Sequence, residues 1–166
     1  MGYGKIFRCK KCGYVYEMFT GIGMAYPMVY EETMETARNG ELGETLKSFV
    51  IEHSDCALDI SRAPYVCEKC GLYSNADRLD AYLPKPGTKV DEKETQIWSI
   101  AFSGKGYQYV TPHEIETKYD LALEYQHYCQ NCGGKLRELT DDELDKGLEC
   151  PQCCSHMEEI DEVYWD

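Results

Sequence analysis

Cysteine spacing constrains this chain more than any other feature of its sequence. Eight of the ten cysteines fall into four C-x-x-C pairs. Two cysteines at this spacing place both thiolates on one side of a tight turn, here called a knuckle, and two knuckles supply four sulfurs to one tetrahedral Zn²⁺ at about 2.3 Å. The repetition therefore predicts two zinc sites per chain, with eight ligands: Cys9, Cys12, Cys67, Cys70, Cys129, Cys132, Cys150 and Cys153.

The residue after each pair supports the knuckle geometry. Gly13, Gly71 and Gly133 follow three of the pairs, and glycine adopts the positive φ that this position needs without steric cost. The fourth pair has Cys154 there, and a non-glycine residue in that conformation costs about 1–2 kcal/mol. Metal binding, worth about 10–16 kcal/mol, offsets this cost. In the alternative, the knuckle shifts and Cys154 replaces Cys153 as the ligand.

Four knuckles can be joined into two sites in three ways. We predict that 9/12 pairs with 67/70 and that 129/132 pairs with 150/153, across intervening loops of 54 and 17 residues. The longer loop costs only about 1 kcal/mol more closure free energy, so a long insertion is compatible with this pairing.

Four thiolates fill the coordination sphere of zinc, which is typical of a structural site, whereas a catalytic zinc keeps a position for water. The histidines do not form a metalloprotease or deaminase pattern. His53 and Cys56 have an H-x-x-C spacing that could supply ligands, but a helix-end histidine and a buried free thiol is the simpler interpretation. We therefore predict no catalytic residues, no small-molecule substrate and no enzymatic activity.

Length and composition limit the fold classes and cellular locations that remain. The 166 residues suit one domain or two small ones, and the 43% of apolar residues exclude a wholly disordered chain. No run of 18 apolar residues is present, and the N-terminus has no apolar signal segment. These features predict a cytoplasmic protein that does not enter a membrane. Ten cysteines could also form a disulfide scaffold, but that needs an oxidising compartment, and the sequence shows no export signal.

Helical patterns occupy the gap between the first two knuckles. Pro27 suits the first position of a helix that ends near Gly40, and apolar residues from Leu42 to His53 recur on one face of a second helix. Two capping boxes, Thr111 to Glu114 and Thr140 to Glu143, predict two short helices further along. Residues 97–102 and 107–110 flank a glycine-rich turn and predict a hairpin.

Together these patterns predict a small, metal-centred α+β fold with two four-cysteine zinc ribbons built from short antiparallel hairpins. Residues 1–88 would form the first ribbon, with a two-helix insert at 26–54. Residues 89–166 would form a β-hairpin, a short helix and the second ribbon. The acidic tail, 161–166, is interpreted either as a docking strand or as a frayed end.

Two segments resemble a known family. The segment Phe7–Glu17, FRCKKCGYVYE, resembles the first knuckle of rubredoxins and rubredoxin-like zinc ribbons, and CPQC at 150–153 resembles their second knuckle, with Cys154 where they have glycine. The resemblance implies a four-cysteine metal centre that takes zinc or iron, without implying electron transfer. The overall layout, with an insert that begins at Gly21, also resembles small uncharacterised bacterial double-zinc-ribbon proteins.

Charge separates the possible roles. The net charge is 17 − 30 = −13, and residues 73–166 carry −11 of it. Nucleic-acid binding needs clustered Lys and Arg, and the one such cluster is Lys5, Arg8, Lys10 and Lys11. We therefore predict a module that binds another protein. An iron-containing redox protein and a nucleic-acid-binding ribbon remain alternatives. The 14 tyrosines are interpreted as packing around the metal sites, or alternatively as a stacking surface.

The Cys132→Ser substitution tests the ligand assignment. Because assembly of a zinc site is coupled to folding, we expect this variant to lose metal and to unfold at least the ribbon that contains residues 129–132. Metal content and thermal melting measure both effects. Unchanged stoichiometry and melting temperature would contradict the assignment.

Overall fold

A computed structural model describes residues 2–88 and 106–165. These residues belong to two compact units. The first, called the cysteine unit, contains Met1–Gly23, Ser61–Asp77 and Gln126–Asp166. The second, called the helical unit, contains Met24–Ile60 and Arg78–Tyr125. The units alternate along the chain, whereas the sequence predicted consecutive segments 1–88 and 89–166.

The described residues form a small α+β fold with antiparallel sheets. The strands are β1 (Gly2–Cys9), β2 (Val15–Thr20), β3 (Ala57–Leu58), β4 (Arg62–Cys67), β5 (Tyr73–Asp77), β6 (Ala81–Pro84), β7 (Tyr119–Leu123), β8 (Leu136–Glu138), β9 (Leu148–Glu149) and β10 (His156–Trp165). The helices are α1 (Tyr26–Asn39), α2 (Glu44–Glu52), α3 (Pro112–Lys118) and α4 (Asp141–Lys146).

The main sheet of the cysteine unit joins the two ends of the chain. Its strand order is β2-β1-β10-β9. Strand β1 pairs with β10 from Gly2 opposite Trp165 to Cys9 opposite Met157, and a β-bulge interrupts the register near Ile6. The sequence allowed the tail, 161–166, to be either a docking strand or a frayed end. In the structure it is a paired strand up to Trp165.

Two glycines make room for aromatic rings on one face of this sheet. A Cβ added to Gly2 would lie 2.1 Å from the Trp165 ring, and one added to Gly4 would lie 3.0 Å from the Phe19 ring. The two rings meet edge to face at 6.2 Å, and the Arg62 guanidinium lies 5.7 Å from the centre of the Trp165 ring. The absence of a side chain at Gly2 and at Gly4 is thus what allows the cross-strand rings to pack there.

A second sheet of the cysteine unit, in the order β5-β4-β8, lies against β2. The Asn75 side-chain amide donates to the C=O of Glu17 at 2.8 Å, and its oxygen accepts from the N–H of Phe19 at 2.9 Å. Gly21 and Arg62 add a backbone bridge, with both N···O distances at 2.9 Å. The outer edge of β2 is therefore closed by hydrogen bonds from the neighbouring sheet.

The core of the cysteine unit is small and contains sulfur from the knuckles. Its buried residues are Phe7, Cys9, Tyr16, Met18, Leu139, Leu148, Cys150 and Met157. Val66 and Tyr73 of the second sheet pack against this core. One core thus receives side chains from both sheets.

The helical unit contains the predicted helices α1 and α2 and a sheet of order β3-β6-β7. Helix α1 ends where predicted, because Gly40 adopts a left-handed φ of 86° and its N–H bonds back to Ala37. Tyr26 and Tyr30 are buried, and the Tyr26 hydroxyl donates to the C=O of Val110 at 2.8 Å. These two tyrosines pack in the interior of the helical unit, whereas the sequence interpretation expected tyrosines to pack around the metal sites.

Both predicted capping boxes are confirmed. The hydroxyls of Thr111 and Thr140 accept from the N–H groups of Glu114 and Glu143, and each glutamate bonds back to its threonine. Glu143 also receives two hydrogen bonds from Arg137, at 2.7 and 2.8 Å. These bonds, together with the Thr140 backbone N–H, lower the pKa of Glu143 to about 2. The predicted hairpin strand at 97–102 lies outside the described residues.

Candidate metal centre

The structure gathers the eight paired cysteines into two groups of four. The first group is Cys9, Cys12, Cys150 and Cys153, here called the outer cluster because its knuckles lie nearest the chain ends. The second group is Cys67, Cys70, Cys129 and Cys132, here called the inner cluster. Within each group all sulfur atoms lie within 4.8 Å of one another. Either group could therefore hold a metal ion.

The predicted pairing of the knuckles is wrong. The 9/12 knuckle meets 150/153 and not 67/70, and the 67/70 knuckle meets 129/132. Strand pairing is the reason, since β1 runs into the first knuckle beside β10, and β4 runs into the second beside β8. The family resemblance already indicated the correct pairing, because 9/12 and 150/153 resemble the two knuckles of a single rubredoxin-like centre.

All four knuckles share one hydrogen-bonding pattern. The N–H of the first cysteine donates to the C=O five residues later, at 2.8 Å for Cys9, 2.9 Å for Cys67, 2.8 Å for Cys129 and 2.8 Å for Cys150. The N–H four residues after that cysteine donates back to its C=O at 2.8–2.9 Å. The residue that donates has a positive φ in every case: 78° at Gly13, 70° at Gly71, 66° at Gly133 and 54° at Cys154.

The fourth knuckle does not shift to use Cys154. Cys153 contributes the sulfur that joins the outer cluster, and Cys154 is exposed beside it. Cys154 instead occupies the position that glycine holds in the other knuckles, with the left-handed φ that the first of the two alternatives required. This conformation carries a steric cost of about 1–2 kcal/mol for a residue with a Cβ.

The sulfur spacing fits a tetrahedral metal ion. Contacts across the outer cluster measure 3.4 Å, from Cys9 to Cys153 and from Cys12 to Cys150. Those across the inner cluster measure 3.4 Å, from Cys67 to Cys132, and 3.7 Å, from Cys70 to Cys129. Four sulfurs at about 2.3 Å from one zinc lie roughly 3.8 Å apart, whereas a disulfide needs about 2.05 Å. The donor set and its spacing therefore suit a four-thiolate centre.

Backbone N–H groups and a hydroxyl favour the thiolate form of one cysteine in each cluster, whereas the neighbouring thiols raise the pKa of Cys12 and Cys132 to about 12. At Cys67 the N–H groups of Cys70 and Lys69 both donate to the sulfur at 3.4 Å, and they lower the pKa of this thiol to about 6. At Cys153 the hydroxyl and backbone N–H of Ser155 lower the pKa to about 6. Metal ligation requires the thiolate, so each cluster contains a sulfur already suited to it.

Two tyrosines connect the surroundings of the clusters. The ring of Tyr16, on β2 after the first knuckle, stacks on the ring of Tyr73, which follows the second knuckle, at 5.0 Å. The Tyr73 hydroxyl donates to the C=O of Glu149 at 2.8 Å, next to Cys150. The Tyr16 hydroxyl donates to the C=O of Ser74 at 2.9 Å. These contacts match the interpretation of tyrosines as packing around the cysteine sites.

The histidines do not join the cysteine groups. His53 ends α2 and its ring lies 4.7 Å from that of Phe49, while the His127 ring lies 4.9 Å from that of Tyr65. Cys56 is buried, and burial raises the pKa of its thiol to about 11. Within residues 2–88 and 106–165, the two cysteine clusters are the groups in which three or more His, Cys, Asp or Glu side chains converge on a metal-sized space.

Carboxylates on β10 form ion pairs with lysines of the basic cluster at and after β1. Lys5 forms an ion pair with Glu159 at 2.9 Å, and Lys10 forms one with Glu158 at 2.5 Å. Arg8 lies opposite Glu158 in the strand register. The sequence could not reveal this partial neutralisation, because the lysines and glutamates are separated by about 150 residues.

Comparison of the chain with protein-family models, curated proteins and solved structures gives no match. The two cysteine clusters are consistent with zinc ribbons. Across the described part of the chain, no helix combines the length and the apolar character needed to span a membrane.

Exchange of Cys154 for glycine tests the assignment of the fourth knuckle. We expect Cys154→Gly to keep the full metal content and to raise the free energy of unfolding by about 1 kcal/mol, because it removes the strained Cβ. Cys153→Ser is the matched variant, and we expect it to lose the metal of the outer cluster. Elemental analysis and denaturant unfolding measure both effects. Loss of metal from Cys154→Gly would show that Cys154 is a ligand.

Proposed function

We propose that this chain is a non-enzymatic zinc-binding protein with two structural four-cysteine sites. The single observation that carries the proposal is the gathering of eight cysteine sulfurs into two groups of four, each with all its sulfurs within 4.8 Å of one another. Each group would be held by two knuckles of the kind found in zinc ribbons. Four thiolates leave no position open for water or substrate, and this favours a structural over a catalytic role.

An iron-containing redox protein is the second candidate. The same four sulfurs accept iron or zinc, and the first and fourth knuckles resemble those of rubredoxins. The exposure of Cys12 favours this candidate, because it places one ligand of the outer cluster at the surface, where electrons can be exchanged. The inner cluster would then be the structural site.

Metal analysis distinguishes the two candidates. Protein purified without oxygen, and without added metal, is expected to contain two zinc ions per chain and to be colourless. Elemental mass spectrometry and an absorption spectrum provide the measurement. Iron with thiolate charge-transfer bands would favour the redox candidate, whereas a chain that binds neither metal would contradict both.

We also propose that the biological role is to bind another protein, through the outer edge of β10. Within the described residues, β9 covers this edge only at His156 and Met157, and β1 lies on the other side. The remaining strand, 158–165, carries four carboxylates and no basic residue. Glu158 and Glu159 pair with Lys10 and Lys5, and Asp161 and Glu162 add negative charge beyond these pairs. The strand also exposes Ile160 and Tyr164. This combination suits an extended segment with alternating cationic and apolar side chains. A second copy of β10 would place like charges opposite one another.

The same ion pairs make nucleic acid a weaker candidate, because Lys5 and Lys10 already contact carboxylates. A peptide of alternating lysine and valine is expected to bind at low salt, and an RNA or DNA oligonucleotide is expected to bind with a Kd weaker than about 10⁻⁴ M. Fluorescence anisotropy of labelled ligands measures both. A glutamate–valine peptide is the matched control.

The variant Glu158→Gln with Glu159→Gln releases the two lysines and removes two carboxylates. It should therefore weaken peptide binding and strengthen oligonucleotide binding. Tight, salt-dependent binding of the oligonucleotide by the unmodified chain would instead favour the nucleic-acid role.

A further inference from the structure

The two clusters are nested within one unit. The inner cluster closes a loop of 58 residues, from Cys70 to Cys129, and the outer cluster closes one of 137 residues, from Cys12 to Cys150. Because closure entropy grows with the logarithm of loop length, the inner loop closes about fourfold more readily than the outer loop. Chain topology therefore favours assembly of the inner cluster first.

The inner cluster also positions the strands that face the outer one. Its knuckles hold the end of β4 beside β8, where Cys67 pairs with Leu136. From this sheet, Val66 and Tyr73 pack against the core that contains Cys9 and Cys150 of the outer cluster, and Leu139, the residue after β8, belongs to that core. A Cβ added to Gly71 would lie 4.0 Å from the Cβ of Pro151, so a knuckle of each cluster lies beside the other.

Tyr73 makes the most direct connection between the inner and the outer cluster. It leaves the inner knuckle at the start of β5, and its ring stacks on Tyr16 of β2, which follows the outer ligand Cys12. Its hydroxyl donates to Glu149, the residue before the outer ligand Cys150. The Tyr73 side chain, three residues after the inner ligand Cys70, thus contacts both segments that must meet to form the outer cluster.

From this nesting and these contacts we propose that the two metal sites are coupled, with the inner cluster assembling first and raising the metal affinity of the outer cluster through Tyr73. The inference rests on the proposed metal-binding function. Without the inner cluster, the strand that carries Tyr73 keeps its bonds to β2 but loses the knuckle that fixes its start. The segments around Cys12 and Cys150 must then be ordered to a greater extent at the moment of metal binding. Linkage requires the outer cluster to raise the affinity of the inner one by the same factor.

Zinc titration of single-cluster variants measures the coupling. Cys132→Ser disables the inner cluster and Cys12→Ser the outer cluster, and competition with a chelator gives the affinity of the remaining site for Zn²⁺. Cadmium NMR of the unmodified chain assigns signals to the two sites. We expect each single-cluster variant to bind at least about fivefold more weakly than the same site does in the intact chain. Equal affinities would overturn the coupling.

Tyr73→Phe tests whether Tyr73 carries the coupling between the two clusters, because it keeps the ring and removes the hydrogen bond to Glu149. We expect it to weaken the outer site in the intact chain and to leave that site unchanged in the Cys132→Ser background. The control is Tyr164→Phe, which removes a hydroxyl from a side chain that is 71% exposed. An equal effect of Tyr73→Phe in both backgrounds would overturn the route through Tyr73.

Native mass spectrometry provides a readout that does not depend on the folding of a cysteine variant. In the intact chain the one-metal species should carry its ion in the inner cluster, and Tyr73→Phe should increase its population at half saturation. A one-metal species with the ion in the outer cluster would overturn the proposed order. Two independent sites would overturn the inference alone, whereas a chain that binds no metal would overturn the proposed function as well.

Discussion

The pairing of the first strand with the last is the interaction on which the cysteine unit depends. Strand β1 lies between β2 and β10, so its backbone bonds to both neighbours, and its side chains Phe7 and Cys9 are fully buried. The same pairing brings a knuckle from each end of the chain to one place. The outer cluster, the aromatic contact between Phe19 and Trp165, and the ion pairs of Lys5 and Lys10 all follow from this register.

A unit of this size buries few aliphatic side chains, and metal ions in the cysteine clusters would compensate for that. Only eight buried residues form the main core of the cysteine unit, and two of them are cysteines of the outer cluster. Small folds of this kind generally need a metal or disulfides to be stable. Tyrosine suits such a core, because the Tyr16 ring is buried while its hydroxyl bonds to Ser74. A metal ion in the outer cluster would therefore stabilise the same core that Tyr16 packs in.

Charge is arranged by strand pairing and not by sequence neighbourhood. The basic residues near the N-terminus and the carboxylates of β10 are far apart in sequence, yet the register places them on adjacent strands. Local neutralisation lowers the repulsion that a net charge of −13 would otherwise cause on this sheet. Asp161 and Glu162 add two further carboxylates to β10 beyond the paired glutamates.

The sequence by itself determined the local structures. C-x-x-C spacing with a following glycine specifies a knuckle, Thr140 with Glu143 specifies a helix start, and Pro27 with Gly40 frames α1, because each depends on hydrogen bonds or φ angles within a few residues. For Cys154 the sequence left two alternatives, a positive φ or a shifted knuckle, and the structure has the positive φ. The tertiary structure alone decided which knuckles meet. Loop-closure entropy differs by only about 1 kcal/mol among the pairings, so the choice depended on long-range strand pairing and on the shared core, neither of which is encoded by spacing.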